Sequence, residues 1–325
     1  MKLTLRSFLS TPLLFGTVLF SLSAFAQTYP ERSITMIVPF PAGAATDAAA
    51  RALAPVLASE LGQSVVVQNV PGASGMIAVR KSIASAPDGY TLHFGTTNDI
   101  VLAPIINPTA GYTAGDVMPV GKTFATNLML VGNLDVPANN IDELTDLLRR
   151  NPNGFSLAHP GVGTVQHLAG VAIASAGGFN WLNVPYKGSA PIGADLMAGH
   201  VNLAIMTLSS AAPLLQTGRV KPFGVLRHER DPAYPLIPTI NEGNSISGIQ
   251  FEQWGGVFVP PKTPPAVVQK LEAAVQAAIR NPQFRESQAV ASASTPAATD
   301  TQSFAKEMKA DDSTYRGIAG SLKLQ

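Results

Sequence analysis

Two histidines, His159 and His167, stand eight residues apart around the stretch "HPGVGTVQH". An imidazole can serve as a general base or as a metal ligand. A spacing of eight matches no common zinc pattern, and the chain holds 5 His and 0 Cys, so a metal or thiol centre is not expected. "SFAK", Ser303–Lys306, has the serine-lysine spacing of some acyl-transfer enzymes but none of their companion motifs. "GVGTVQ", Gly161–Gln166, begins like a dinucleotide loop, yet Gln166 stands where the third glycine is needed. These residues point away from an enzyme and away from a cofactor.

What remains is a set of loops that each open a helix: Phe40–Asp47, Gly95–Asp99, His159–Thr164 and Tyr186–Ala190. The first N–H groups of a helix have no partner within it, and its dipole is positive there, so such loops attract anions. Small residues at Ala42, Gly43, Gly161 and Gly163 let a ligand approach the backbone. Basic side chains are almost absent from these loops, Lys187 being the exception. The expected ligand is therefore a small anion such as a carboxylate, held by backbone donors, partly through water.

The elements that must carry these loops follow from the hydrophobic pattern. Ile34–Val38 is a continuous apolar, β-branched run and reads as a buried parallel strand. Thr46 or Asp47 is placed to cap the helix after it, whose apolar face runs Ala50, Leu53, Ala54, Leu57 and Leu61 before Gly62. Strands at Ser64–Gln68 and Tyr90–Gly95 and a helix at Met76–Ala84 complete one βα set. A second set holds strands at Leu128–Gly132, Ser156–Ala158, Trp181–Val184, Leu203–Met206 and Pro222–Leu226, with helices between them. Helices at Pro265–Arg280 and Thr301–Ala319 end the chain. The pattern predicts an α/β protein with two lobes, each a βα sheet sandwich. Strands near Phe124–Gly132 and Phe251–Val259 are the expected crossings, which form a hinge. Lobe 1 is then 27–126 plus 253–325, and lobe 2 is 127–252.

Composition bounds the setting. Lys2 and Arg6, the apolar run Leu13–Leu22 and Ala24-Phe25-Ala26 form a secretory signal, with the mature chain expected to begin at Gln27. Without residues 1–26 the chain has 20 basic and 21 acidic residues, which does not favour a nucleic-acid partner. Charged residues are only 13% of the chain, about half the usual share, which suits a compact fold rich in tight turns.

Several stretches resemble the substrate-binding proteins of tripartite tricarboxylate transporters, the Bug receptor family. They are "YPERSITMIVPFPAGAATD", "LGQSVVVQNVPGASG", "APDGYTLHFGT", "GTVQHLAG", "VPYKGSAP" and "FVPPKTPP", in order and nearly end to end. The resemblance implies a type II-like periplasmic-binding-protein fold that receives a carboxylate in the periplasm and delivers it to a membrane permease. A monomer is expected. It also implies ligand contacts at Phe40, Ala42, Gly43, Ala44 and Asp47, and at Gly163 and Thr164, with Thr96, Thr97 and the "YKG" loop (Lys187, Gly188) nearby. His159, Gly161 and Thr207 complete the expected site.

This chain departs from the family at Ala44, where a second glycine is common, and at Thr207, where an acid is common. Loss of that acid removes a repulsion for a second carboxylate and a partner for an amino group. A dicarboxylate is therefore expected rather than an amino acid. It could be aliphatic, or aromatic like terephthalate, with Phe40, His93 and His159 as flat or donor groups. Two alternatives stay open from sequence: presentation of the ligand to a sensor kinase, and a periplasmic enzyme using His159 or His167 as a base.

Overall fold

The computed structural model describes residues 29–186, 190–290 and 293–321. The expected signal segment, Lys187 and Gly188 lie outside the described residues.

The first βα set is β1 (Ile34–Val38), α1 (Ala45–Leu61), β2 (Val65–Asn69), α2 (Met76–Ile83) and β3 (Thr91–Thr96). A π-helical turn, Asn98–Leu102, runs into α3 (Ala103–Ile106). β4 (Met118–Asn133) follows, then α4 (Ile141–Arg150), β5 (Ser156–His159), α5 (Val165–Gly177), β6 (Leu182–Pro185), α6 (Ala190–Ala198), β7 (Leu203–Thr207), α7 (Leu208–Gln216) and β8 (Val220–Val225). β9 (Glu252–Val259), α8 (Pro265–Arg280), α9 (Pro282–Val290) and α10 (Thr301–Ser321) complete the described chain.

The strand order is β2-β1-β3-β9-β4-β7-β5-β6, with β8 on β4 as well. β4 makes the architecture. From Met118 to Asn127 it pairs antiparallel with β9, and from Leu128 onward it pairs with β7 and β8. One 16-residue strand thus belongs to two sheets. The chain returns where Phe251 donates its N–H to Leu226 O at 2.9 Å, just before β9. The fold is the two-lobed α/β arrangement expected from sequence.

The sequence pattern underestimated β4 because Gly121, Lys122, Thr123 and Asn127 interrupt its apolar run. Those residues are tolerated where β9 supplies the ladder, with register shifts at Pro119/Gly121 and Lys122/Phe124. Helix α9 was not anticipated; it is short and buries only Phe284 and Gln288.

Helix α1 shows how sequence sets position. Ala50, Leu53, Leu57 and Leu61 fall on one face and are buried against the β1 sheet and α8. Gly62 ends the helix in the left-handed region at φ 70°, donating its N–H to Ala58 O. Leu57 is fully buried, so its truncation to alanine removes about 2–5 kcal/mol. That packing holds the opposite end of α1, where the first loop lies.

A polar cluster sits beside the crossing. Lys122 on β4 pairs with Glu252 on β9 at 3.0 Å and with Glu307 on α10 at 2.7 Å. Trp254 donates its indole N–H to Asp311 at 2.6 Å. Burial, above all, lifts the Asp311 carboxyl to about 6.

Candidate functional site

Strand β1 ends at Val38, and the next residues turn into α1. Gly43 takes φ 85°, a conformation that side chains resist. Its N–H donates to the Asp47 carboxylate at 2.9 Å. Asp47 also accepts from Arg51 Nε at 3.0 Å and from Asn69 Nδ2 at 2.8 Å. The Arg51 bond, with these others, holds its carboxyl down at about 2. Asn69 further donates to Phe40 O at 3.0 Å. The Asp47 side chain therefore fastens the loop from behind. Ala44 begins α1 with no side-chain cap, so the first-turn N–H groups keep their donor capacity.

The second lobe repeats the design. Gly163, at φ 79°, donates its N–H to His167 Nδ1 at 3.2 Å. Thr164 caps α5: its Oγ1 accepts from His167 N at 3.3 Å and donates to Gly161 O at 2.8 Å. The same Gly161 carbonyl accepts from His159 Nδ1 at 2.9 Å.

These partners assign the tautomers. A carbonyl only accepts, so His159 carries its proton on Nδ1; a backbone N–H only donates, so His167 Nδ1 is bare. The rings stack with centroids 4.5 Å apart. Burial first, then His167, pushes His159 down to about 4, and burial also lowers His167. Both imidazoles are neutral near pH 7 and hold the loop at its two ends.

Between the loops lies a cavity of about 430 Å³. Phe40, Ser74 and Met76 line it, with Asn98 and Ala103 from the π-helical turn and α3, and Gly161, Gly163 and Thr164 from the second lobe. None of its lining residues is charged. The lobes touch across it. Asn98 Oδ1 accepts the Val165 N–H at 3.2 Å, and a Cβ added to Gly163 would stand 3.1 Å from Ile106. Gln166 on α5 donates to Gln253 on β9 at 3.2 Å.

A cavity of about 550 Å³ between Thr113–Pro119 and α10 is larger. It faces no loop at the carboxyl end of a strand, where open α/β sheets bind ligands.

The expected site residues separate accordingly. Phe40, Gly161, Gly163 and Thr164 line the cavity together. Ala42 and Gly43 are exposed beside Phe40, and Ala44 is half-buried. Thr96 and Thr97 are fully buried: Thr96 Oγ1 donates to Asp99 at 2.6 Å, and Thr97 Oγ1 accepts from Trp254 N at 3.1 Å. Thr207 bonds Ser209 and Ser210 at the start of α7 and is not one of the cavity's lining residues.

His93, expected beside the cleft, lies in the core, bonded to Asp99 at 2.8 Å and Ser82 at 3.0 Å. This Ser-His-Asp chain lacks a nucleophile open to substrate, because Ser82 is buried. The Ser303 hydroxyl bonds Asp300 at the start of α10.

Ser74 was missed, and Asn98 falls within the expected loop Gly95–Asp99 without being singled out there. For Asn98 a signal existed in the polar "TTND" that follows β3 at the carboxyl end of the sheet. Among the described residues no group of three or more His, Cys, Asp or Glu is placed to hold a metal ion, and no helix is long and apolar enough to cross a membrane.

Comparison with known proteins agrees with this geometry. Residues 49–318 match the family model described as tripartite tricarboxylate transporter family receptor. The periplasmic binding protein BugD is 31% identical, with a TM-score of 0.76, over 90% of this chain and 98% of that one. Rpa4515 of R. palustris, solved with adipate, is 29% identical, with a TM-score of 0.79, over 90% and 97%. MatC from Rhodopseudomonas palustris, solved with bound malate, is 28% identical, with a TM-score of 0.77, over 89% and 99%. The chain belongs to the receptor family of the tripartite tricarboxylate transporters.

Proposed function

We propose that this protein captures a small dicarboxylate in the cleft between its lobes and delivers it, in the periplasm, to a membrane permease of the tripartite tricarboxylate type. The observation that carries this reading is the uncharged cavity of about 430 Å³ shared by two helix-opening loops. Such a site holds anions by backbone N–H groups and helix dipoles. Adipate and malate, the ligands of two structural relatives, are both dicarboxylates of a size that this volume admits. We assign Phe40, Ala42, Gly43, Ala44, Gly161, Gly163 and Thr164 to ligand contact, and Asp47 and His159 to holding the loops. Phe40 offers a flat face to a ligand chain or ring.

The lobes divide at the crossings, as 27–126 plus 253–325 and 127–252; the change of partner on β4 at Leu128 supports this. Closure about these crossings pools donors from both lobes, and a ligand that favours the closed form shifts the population toward it. No step of catalysis is assigned. The neutral His159 and His167 are engaged with the loop backbone, and relatives of this fold are solute-binding proteins.

The test is a thermal-shift screen of mono- and dicarboxylates, followed by scattering. A ligand at 100 times its dissociation constant adds about 2.7 kcal/mol. Dicarboxylates are expected to raise the midpoint and shrink the radius of gyration. A panel in which no carboxylate moves either quantity refutes the proposal.

A further inference from the structure

Asn98 opens the π-helical turn after β3 and lines the cavity. Its side chain reaches the other lobe, where Oδ1 accepts the Val165 N–H at 3.2 Å. That N–H belongs to the first turn of α5 and has no acceptor within the helix. Because a backbone N–H can only donate, the orientation of the Asn98 amide is settled: oxygen toward Val165, Nδ2 on the other branch. No partner for Nδ2 occurs among the described residues.

The backbone at Asn98 is firmly placed. The next residue, Asp99, is fully buried. It accepts from Thr96 N at 2.8 Å and Thr96 Oγ1 at 2.6 Å and shares a hydrogen bond with His93 Nε2 at 2.8 Å. Gly75, at φ 92°, packs so tightly that a Cβ there would stand 2.5 Å from Asp99 Cβ. The Ser82–His93–Asp99 chain, idle as a triad, thus supports the turn that presents Asn98.

We propose that Asn98 is a two-sided latch: its amide oxygen ties the lobes through the first turn of α5, and its amide N–H groups bind a carboxylate of the ligand. This rests on the dicarboxylate reading above. It makes ligand capture and lobe closure one event, since the same planar group turns to both. In a site lined by no cation, it also supplies a side-chain donor.

Asn98→Asp separates the two sides. The aspartate keeps an oxygen for Val165, at the positive end of α5, and replaces the donor by an anion. Malate and adipate are the probes, titrated calorimetrically against wild type and N98D. A folded N98D, its thermal midpoint kept within about 2 °C, is expected to bind about 100-fold more weakly, from the lost charged hydrogen bond and the repulsion together. Binding within threefold of wild type by folded N98D overturns the latch while leaving the dicarboxylate reading intact. If wild type binds neither probe nor any other dicarboxylate, that reading fails and the latch with it. Should N98D unfold, Asn98→Ala decides: tenfold weaker or more supports the latch, within threefold overturns it.

Discussion

On the first lobe Gly43 donates its N–H to a carboxylate four residues on, Asp47, at 2.9 Å; on the second, Gly163 donates to an imidazole four residues on, His167, at 3.2 Å. Both glycines have positive φ, and both acceptors are the third residue of the helix that follows. The positive helix end favours Asp47 as an anion, while burial keeps His167 neutral, so that Nδ1 remains an acceptor. One backbone design is therefore held by two chemistries that respond oppositely to acid. Asp47 stays ionised down to about 2, whereas an imidazole takes up a proton at its ordinary value near 6.5 if it leaves its burial.

The largest break in this comparison is Asp47→Ala. It strands the Gly43 N–H and the Asn69 amide and frees Arg51. A loss of about 3 kcal/mol in urea unfolding is expected, because the Gly43 N–H and the Asn69 amide both lose a buried carboxylate, while Arg51, half-exposed, regains water. A loss below about 1 kcal/mol would show that the loop holds itself.

The pH response follows, at about 3 kcal/mol. His159 is held down to about 4 by burial, so the unfolded chain binds the extra proton between there and about 6.5. Its contribution is complete above about 6.5 and is lost as pH falls toward 4. Asp311, lifted to about 6 by burial, acts in the opposite sense: stability is gained as pH falls through 6 and lost as it rises through 6. The two oppose one another in the wild type. Asp311→Asn removes the offset, and its unfolding free energy is expected to drop by about 3 kcal/mol between pH 6.5 and 4. A flat profile in that variant would mean that His159 is protonated without cost.

Alanine at either glycine acts at about 1–2 kcal/mol. A Cβ at Gly43 meets nothing within 4 Å, but one at Gly163 meets Ile106 of the facing lobe at 3.1 Å. Both alanines strain a positive φ, at about 1 kcal/mol. Gly163→Ala is expected to weaken malate or adipate binding more than Gly43→Ala does, by about tenfold, since its new methyl group also opposes closure. Equal affinities for the two variants would place the closing contact elsewhere.

The smallest effect is His167→Gln. A glutamine oxygen can accept from Gly163 without titrating. Affinity at pH 7.5 is expected to change by less than threefold; acidification, which on protonation of His167 Nδ1 strands the Gly163 N–H, is expected to weaken binding less in this variant than in the wild type. Equal weakening would assign the pH dependence to His159 alone.

Much of the scaffold was legible in the residues. The apolar run Ile34–Val38, the single buried face of α1 and Gly62 after it needed only local pattern, because strand and helix periods and the left-handed cap are local properties. The loops Phe40–Asp47 and His159–Thr164 were legible for the same reason: a strand running into small residues and a helix marks the carboxyl end of a sheet. Less was legible where long-range partners decide. β4 runs through Gly121, Lys122 and Asn127 because β9, more than a hundred residues on, pairs with it there.

The two βα sets, the small-residue loops with almost no basic side chain and the family resemblance follow from the residues alone. Which polar residues line the cavity and which hold the loops follows from the packing of elements distant in the chain. Asp47, His159, Thr96 and Thr97 carry groups able to bind an anion, yet the fold gives their side chains to backbone and core partners. Asn98, one polar residue of the loop Gly95–Asp99, gains its place because the π-helical turn and α5 meet across the cleft. The physical reason is that a hydrogen bond depends on direction and distance between groups far apart in the chain, and neither is encoded in the spacing of residues along it.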